Sequence, residues 1–190
     1  GSRVSKADPR MAAVGDVDEA NSAIGVALAS VSAGPIRDAL NRIQNDLFDL
    51  GADLATPGEI AGALRVTPTQ SAWLEQAIDT LNADMPPLAS FILPAGDAGA
   101  AALHLARAIT RRAERSAVAC AAETAISTEI LIYLNRLSDY LFVAVRFECY
   151  GARRDLLSVP GRRSSDLLRL AGAVAPRAEI LDVLEPGMDE

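Results

Sequence analysis

Between residues 36 and 54 the large apolar side chains fall at Ile36, Leu40, Ile43, Leu47, Leu50 and Leu54, at alternating steps of four and three. Only an α-helix brings such positions onto one side, and the stripe they make is a seam that other helices must cover. Pro35 opens this helix, Gly51 is expected to interrupt it and Pro57 to end it. The rest of the chain repeats the pattern. A first helix is predicted from about Pro9 to about Ser32, with Val14, Val17, Ile24, Leu28 and Val31 inward. Thr67, Pro68 and Gln70 supply an N-cap, a proline at the first helical position and the third-position glutamine of a capping box. The third helix they start carries Leu74, Ile78, Leu81 and Met85, and stops at Pro86-Pro87. A fourth runs from about Asp97 to Glu123. A fifth, from Ser127 to Cys149, has its seam at Ile130, Leu134, Leu137, Leu141 and Val145. The expectation is an all-α protein, a bundle of five helices.

The 190 residues are enough to bury one sizeable core. Half are apolar but only 4% aromatic, and the abundance of Ala, Leu, Ile and Val favours helices. A net charge of −7 argues against nucleic acid, which calls for a basic surface. Cys120 and Cys149 have neither metal-ligand nor redox spacing, and no signal peptide is visible, so a reduced cytoplasmic setting is expected. The apolar run from Ile130 to Phe147 is broken by Asn135, Arg136, Ser138, Asp139 and Arg146. It is not a membrane span.

Against this acidic background, Arg107, Arg111, Arg112 and Arg115 crowd into nine residues. Arg107, Arg111 and Arg115 share one helix face, where like charges repel by a few tenths of a kcal/mol per pair. A polyphosphate would relieve that repulsion, because the guanidinium fork matches its oxygens. A solvated face with Glu114 as partial counter-charge is the plain alternative. Lys6 is the only lysine, so the clustering carries more weight than the choice of arginine. Asp16, Asp18 and Glu19 form an acidic knot in the first helix, near Asn21 and Ser22. Asn135 sits beside the seam of the fifth helix, followed by Arg136 and Asp139. Phe91-Ile-Leu-Pro94 is an apolar loop before the arginine helix. Buried Asn or Asp must find partners; a structural ion pair for Asp18 and a register-fixing role for Asn135 would also satisfy them.

Other chemistries are absent. His104 is the only histidine and is read as an ordinary surface or packed side chain. It cannot supply the paired Glu-x-x-His ligands of a di-metal bundle, nor is there a nucleophile elbow for a catalytic triad. No G-x-x-x-x-G-K-[ST] phosphate loop occurs.

Several segments, in order, resemble the PduO-type ATP:cob(I)alamin adenosyltransferases. They are Gly1-Ser-Arg-Val-Ser-Lys6, Gly15-Asp-Val-Asp-Glu19 with Asn21-Ser-Ala-Ile-Gly25, and Ile43-Gln-Asn-Asp-Leu-Phe48 with Gly51-Ala-Asp-Leu54. Phe91-Ile-Leu-Pro94, Arg107-x-x-x-Arg-Arg-Ala-Glu-Arg115 and Tyr133-Leu-Asn-Arg-Leu-Ser-Asp139 follow. The likeness runs from residue 1 to about 161. It implies a five-helix bundle, ferritin-like in general form, assembled as a homotrimer with active sites between subunits. Residues 1–161 would form that bundle, and 162–190 a poorly ordered tail.

The resemblance also implies the reaction. Cob(I)alamin attacks the 5′ carbon of ATP, giving adenosylcobalamin and tripolyphosphate, with Mg²⁺ on the phosphates. Arg3, Lys6, Arg111, Arg112, Glu114, Arg115 and Asn135 match ATP-binding positions. Asp18 and Arg107 match an ion pair across the subunit interface. Phe91 matches the aromatic that closes the corrinoid pocket and displaces the lower axial ligand of cobalamin. Arg111, Asp18, Arg107 and Phe91 are thus the expected catalytic set. A B12-dependent mutase that receives the product and a cobalt reductase are the partners implied. A catalytically silent bundle that delivers cofactor to such a mutase, and a plain oligomerisation module, are the alternatives.

Three features depart from the family pattern. Members normally carry a Thr- and Gly-rich phosphate segment ahead of the Gly-x-Arg-Val-x-Lys stretch, and this sequence starts at Gly1. Ala95 stands where many have glycine, and Ser158 where tryptophan is usual. These bear on corrinoid affinity more than on ATP recognition.

Overall fold

The computed structural model describes residues 4–58, 60–83, 85–88 and 92–151. Five helices make up these residues: α1 (Pro9–Ser30), α2 (Pro35–Ala55), α3 (Pro68–Asn82), α4 (Ala98–Ala121) and α5 (Thr128–Gly151). All belong to one compact unit, Gly1–Met85 with Pro94–Leu156; the other, Pro86–Leu93 with Leu157–Glu190, falls mostly outside the described residues. So do Arg3, Phe91, Ser158 and the expected tail from residue 162.

Helix starts follow the local chemistry. Asp8 caps α1 by accepting from the Arg10 amide at 2.9 Å, and Asp97 caps α4 through the Ala100 amide at 2.8 Å. Thr67 and Gln70 form the predicted capping box on α3. Each satisfies backbone donors that the first turn leaves free. Gly34, at the N-cap of α2, has φ 145°, a conformation a Cβ would oppose. Both terminal nitrogens of Arg37 donate to the Leu28 carbonyl, at 3.2 and 2.8 Å, and so tie the end of α1 to the start of α2.

Helix α5 is the axis of the bundle. Ile130 to Leu134, Leu137, Tyr140, Leu141 and Val143 to Val145 are all buried, so most of its circumference is covered, while Arg136, Asp139 and Phe142 are only half-buried. It packs mainly on α4 and α3, while α1 lies on α4 and α2. The seam of α2 is buried as predicted, from Ile36 through Leu54. Gly51 does not interrupt it: the helix passes through to Ala55, because one glycine costs about 1 kcal/mol and the buried leucines on either side outweigh that. The third helix stops at Asn82, leaving Met85 beyond its end.

The largest departure is in α1. Val14 and Leu28, expected inward, are only half-buried. The buried face is instead Ala13, Val17, Ala20, Ala23, Ile24 and Ala27; α1 packs on α4, whose buried residues include Ala100, Ala106, Ala113 and Ala117. Small residues let two helices approach closely. At Gly99 an added Cβ would stand 3.2 Å from the Ser30 carbonyl oxygen and 3.4 Å from Val31 Cγ1.

Among the described residues no helix is long and apolar enough to cross a membrane.

Candidate active site

The arginines of α4 do not act as one group; the helix divides them between two neighbours. Arg107 and Arg111 are half-buried on the side toward α5. The Arg107 guanidinium lies over the Phe142 ring, 5.3 Å from its centroid, within cation–π range. Burial and then the adjacent charge of Arg111 lower its pKa, with Asp139 pulling the other way. Asp139 faces the cluster from α5. Burial raises its carboxyl above the ordinary carboxylate range, against the opposing charges of Arg136, Arg111 and Arg107.

Asn135 joins this face one turn before Asp139. Its Nδ2 donates to Glu114 Oε1 at 2.7 Å, its Oδ1 accepts from Arg136 Nη2, and Arg136 Nη1 stands 3.3 Å from Asp139 Oδ2. Glu114, Asn135, Arg136 and Asp139 therefore form one chain of polar contacts beside Arg107 and Arg111. The buried Asn135 thus finds one partner on the neighbouring helix and one on its own, satisfying the amide as burial requires. Tyr133, two residues earlier, fixes the rotation of α5: its hydroxyl donates to Asp46 Oδ2 on α2 at 3.0 Å, and Gln70 Nε2 on α3 donates to Asp46 Oδ1 at 3.0 Å.

Arg111 carries no hydrogen bond or ion pair through its guanidinium among the described residues. Arg115 is exposed and donates to the Arg111 carbonyl at 2.9 Å. Arg112 points the other way, to α1, where Nε meets Asp16 Oδ1 at 3.2 Å and Nη2 meets Glu19. The hydrogen bond to Glu19 is the main influence holding its pKa above the usual arginine value.

Asp18 is exposed and has no hydrogen-bond or ion-pair partner among the described residues. It lines a groove of about 390 Å³ between α1 and α2, with Met11, Asn21, Phe48 and Gly51. Arg107 lies on the opposite flank of α4, so the chain does not pair these two within itself. Lys6 is exposed in the turn before α1. Asp8 and Arg10 are felt electrostatically at Cys120, which places this turn at the C-terminal end of α4, beyond Arg115. Asp139, Arg136 and Asp16, noted in the sequence motifs but given no role, and Phe142 and Ser116, which no motif contains, belong to the surroundings of the site. The four-residue step from Asn135 to Asp139 was the signal available for the first.

A profile of the cobalamin adenosyltransferase family matches residues 1–148. The chain belongs to that family. It is 48% identical over 169 residues to the corrinoid adenosyltransferase of Mycobacterium leprae, an alignment covering 84% of this chain and 87% of that protein. Two solved structures of variants of a PduO-type ATP:corrinoid adenosyltransferase from Lactobacillus reuteri superpose on it. A Phe-to-Ala variant complexed with cobalamin and ATP gives a TM-score of 0.77 at 39% identity, over 83% of this chain and 90% of that one. An Arg-to-Lys variant complexed with ATP gives 0.77 at 40%, over 84% and 91%. The five-helix bundle predicted from periodicity is the family's fold.

Proposed function

We propose that this adenosyltransferase transfers the 5′-deoxyadenosyl group of ATP to cob(I)alamin at sites between the subunits of a homotrimer. The Co(I) electron pair forms the bond to C5′. The C5′–O5′ bond breaks, and its pair leaves on the tripolyphosphate oxygen. No proton transfer is needed at the reacting carbon, so the protein's task is to position the reactants and to stabilise charge on the leaving group. The guanidinium of Arg111, which makes no hydrogen bond or ion pair among the described residues and shares one face with Arg107 and Arg115, is the observation that carries this reading. Three arginines facing the single carboxylate of Asp139, which Arg136 already engages, leave an excess of positive charge for an anion, and each charge-assisted bond is worth roughly 1.5–3 kcal/mol.

Arg3 and Lys6 would add phosphate contacts from the N-terminal side, and Glu114 with Asn135 would meet the nucleotide beyond the arginines. Asp18, exposed and without a partner among the described residues, would pair with Arg107 of the adjacent subunit. Phe91 would wall the corrinoid and exclude water and a lower axial nitrogen ligand. Among the described residues no three His, Cys, Asp or Glu gather to hold a metal ion. Mg²⁺ would be carried on the triphosphate, where it would lower the charge the arginines meet. The product would pass to a B12-dependent mutase, and a cobalt reductase would supply the Co(I) state.

The test is direct. The protein is mixed with ATP, Mg²⁺ and chemically reduced cob(I)alamin without oxygen, and the corrinoid spectrum followed. Conversion to adenosylcobalamin with tripolyphosphate released is expected. Binding of corrinoid or ATP without conversion would replace this reading with a silent cofactor carrier.

A further inference from the structure

Helices α1 and α4 pack on each other, and the buried residues of both are mostly alanine and other small side chains. Such a seam permits close approach but offers few side chains that interlock, so it resists rolling of one helix on the other weakly. The polar groups that flank it must then set the rotation, and they are unusually concentrated. The Asp16 carboxylate accepts from two residues of α4 one turn apart, Arg112 through Oδ1 at 3.2 Å and Ser116 through Oδ2. Glu19, nearly one turn further along α1, takes the other arm of Arg112.

The acidic knot is thereby split. Asp16 and Glu19 face α4, while Asp18, rotated about 200° from Asp16 on the helix, faces the groove between α1 and α2. On α4 the same division sends Arg112 to α1 and leaves Arg107 and Arg111 toward α5.

We infer that Arg112 is a positioning residue, not a phosphate ligand: with Asp16, Glu19 and Ser116 it locks the rotation of α1 on α4. The lock sets where Asp18 is presented and steadies the helix that carries Arg111. The inference rests on the reading of the arginine face as the triphosphate site, but assigns Arg112 a different part in it.

A double-mutant cycle on turnover separates the two roles. Asp16→Asn, Arg112→Ala and the double variant are assayed for kcat and KM toward ATP, well below the melting temperature of each. As a lock, either single change lowers kcat by roughly three- to tenfold with little change in KM for ATP, and the double variant is no worse than the singles. Arg112→Lys, which keeps a charge for Asp16 but loses the fork, retains most of the turnover. The inference is overturned if Arg112→Ala raises KM for ATP while Asp16→Asn leaves it unchanged or lowers it. Additive effects of the two changes, or kinetics that stay at the wild-type level while only the melting temperature falls, would overturn it as well. Wild-type turnover, measured alongside, separates failure of the functional reading from failure of this one.

Discussion

Replacing Arg111 by alanine should remove activity and leave the fold intact, and the structure supplies both magnitudes. The guanidinium makes no hydrogen bond or ion pair within the described chain. Its removal relieves repulsion from Arg107 and Arg115 at four residues on either side, a few tenths of a kcal/mol each. It also gives up a comparable screened attraction to Asp139, which feels the Arg111 charge. These terms nearly cancel, so stability should stay within about 0.5 kcal/mol, or about 2 °C in melting temperature. On the reaction side, losing a charge-assisted contact to the leaving triphosphate costs roughly 1.5–3 kcal/mol, a fall of about 10- to 150-fold in kcat/KM for ATP. The assay is anaerobic steady-state adenosylation at varied ATP, beside a thermal melt. Turnover within a factor of two of wild type would refute the assignment. A drop of more than about 5 °C accompanying the loss would show that Arg111 holds the bundle together instead.

His104 is buried with neither ring nitrogen hydrogen-bonded among the described residues; burial first, and then Arg107, lowers its pKa below 6.5. Because the folded value lies below the unfolded one, its protonation favours unfolding. Stability is complete above about pH 6.5 and erodes as pH falls below it. His104→Leu should flatten the fall in urea midpoint between pH 7 and 5, and an unchanged slope would count against this account. Tyr133→Phe deletes a buried hydrogen bond to the Asp46 carboxylate at 3.0 Å and should cost about 1.5–3 kcal/mol in urea unfolding; a loss under 0.5 kcal/mol would show that α5 does not depend on that bond. Gly99→Val adds atoms where a Cβ already stands 3.2 Å from the Ser30 carbonyl oxygen. It should destabilise by about 1–3 kcal/mol, and a neutral result would mean that α1 and α4 can separate there without loss.

Much of this protein was legible as a one-dimensional pattern, because helix periodicity is local. The seam of α2, the capping box at Thr67, Pro68 and Gln70, and the stop before Pro57 follow from residues within one or two turns of each other, whereas α3 ends at Asn82, before the stop expected at Pro86. The shared face of Arg107, Arg111 and Arg115 also follows from the helix pitch alone, as does the adjacency of Asn135 and Asp139. The order of the motifs along the chain was enough to suggest the family, which the comparisons then established. What periodicity could not decide was which side of a nearly all-apolar or alanine-rich helix would face which neighbour. In α1, alanines took the places expected for Val14 and Leu28, because close approach to α4 at Gly99 favours the smallest side chains over larger ones one step away.

Pairings between distant residues belonged to the tertiary structure altogether. The hydrogen bond from Asn135 to Glu114 spans 21 residues and that from Tyr133 to Asp46 spans 87, and no local rule connects them. Helix pitch set Arg112 off the face of Arg107, Arg111 and Arg115 but could not say what either face would meet. Packing decided it, giving Arg112 to the acidic turn of α1 and turning Arg107 and Arg111 toward α5, because a charge on a helix takes its role from whatever the adjoining helix sets opposite it.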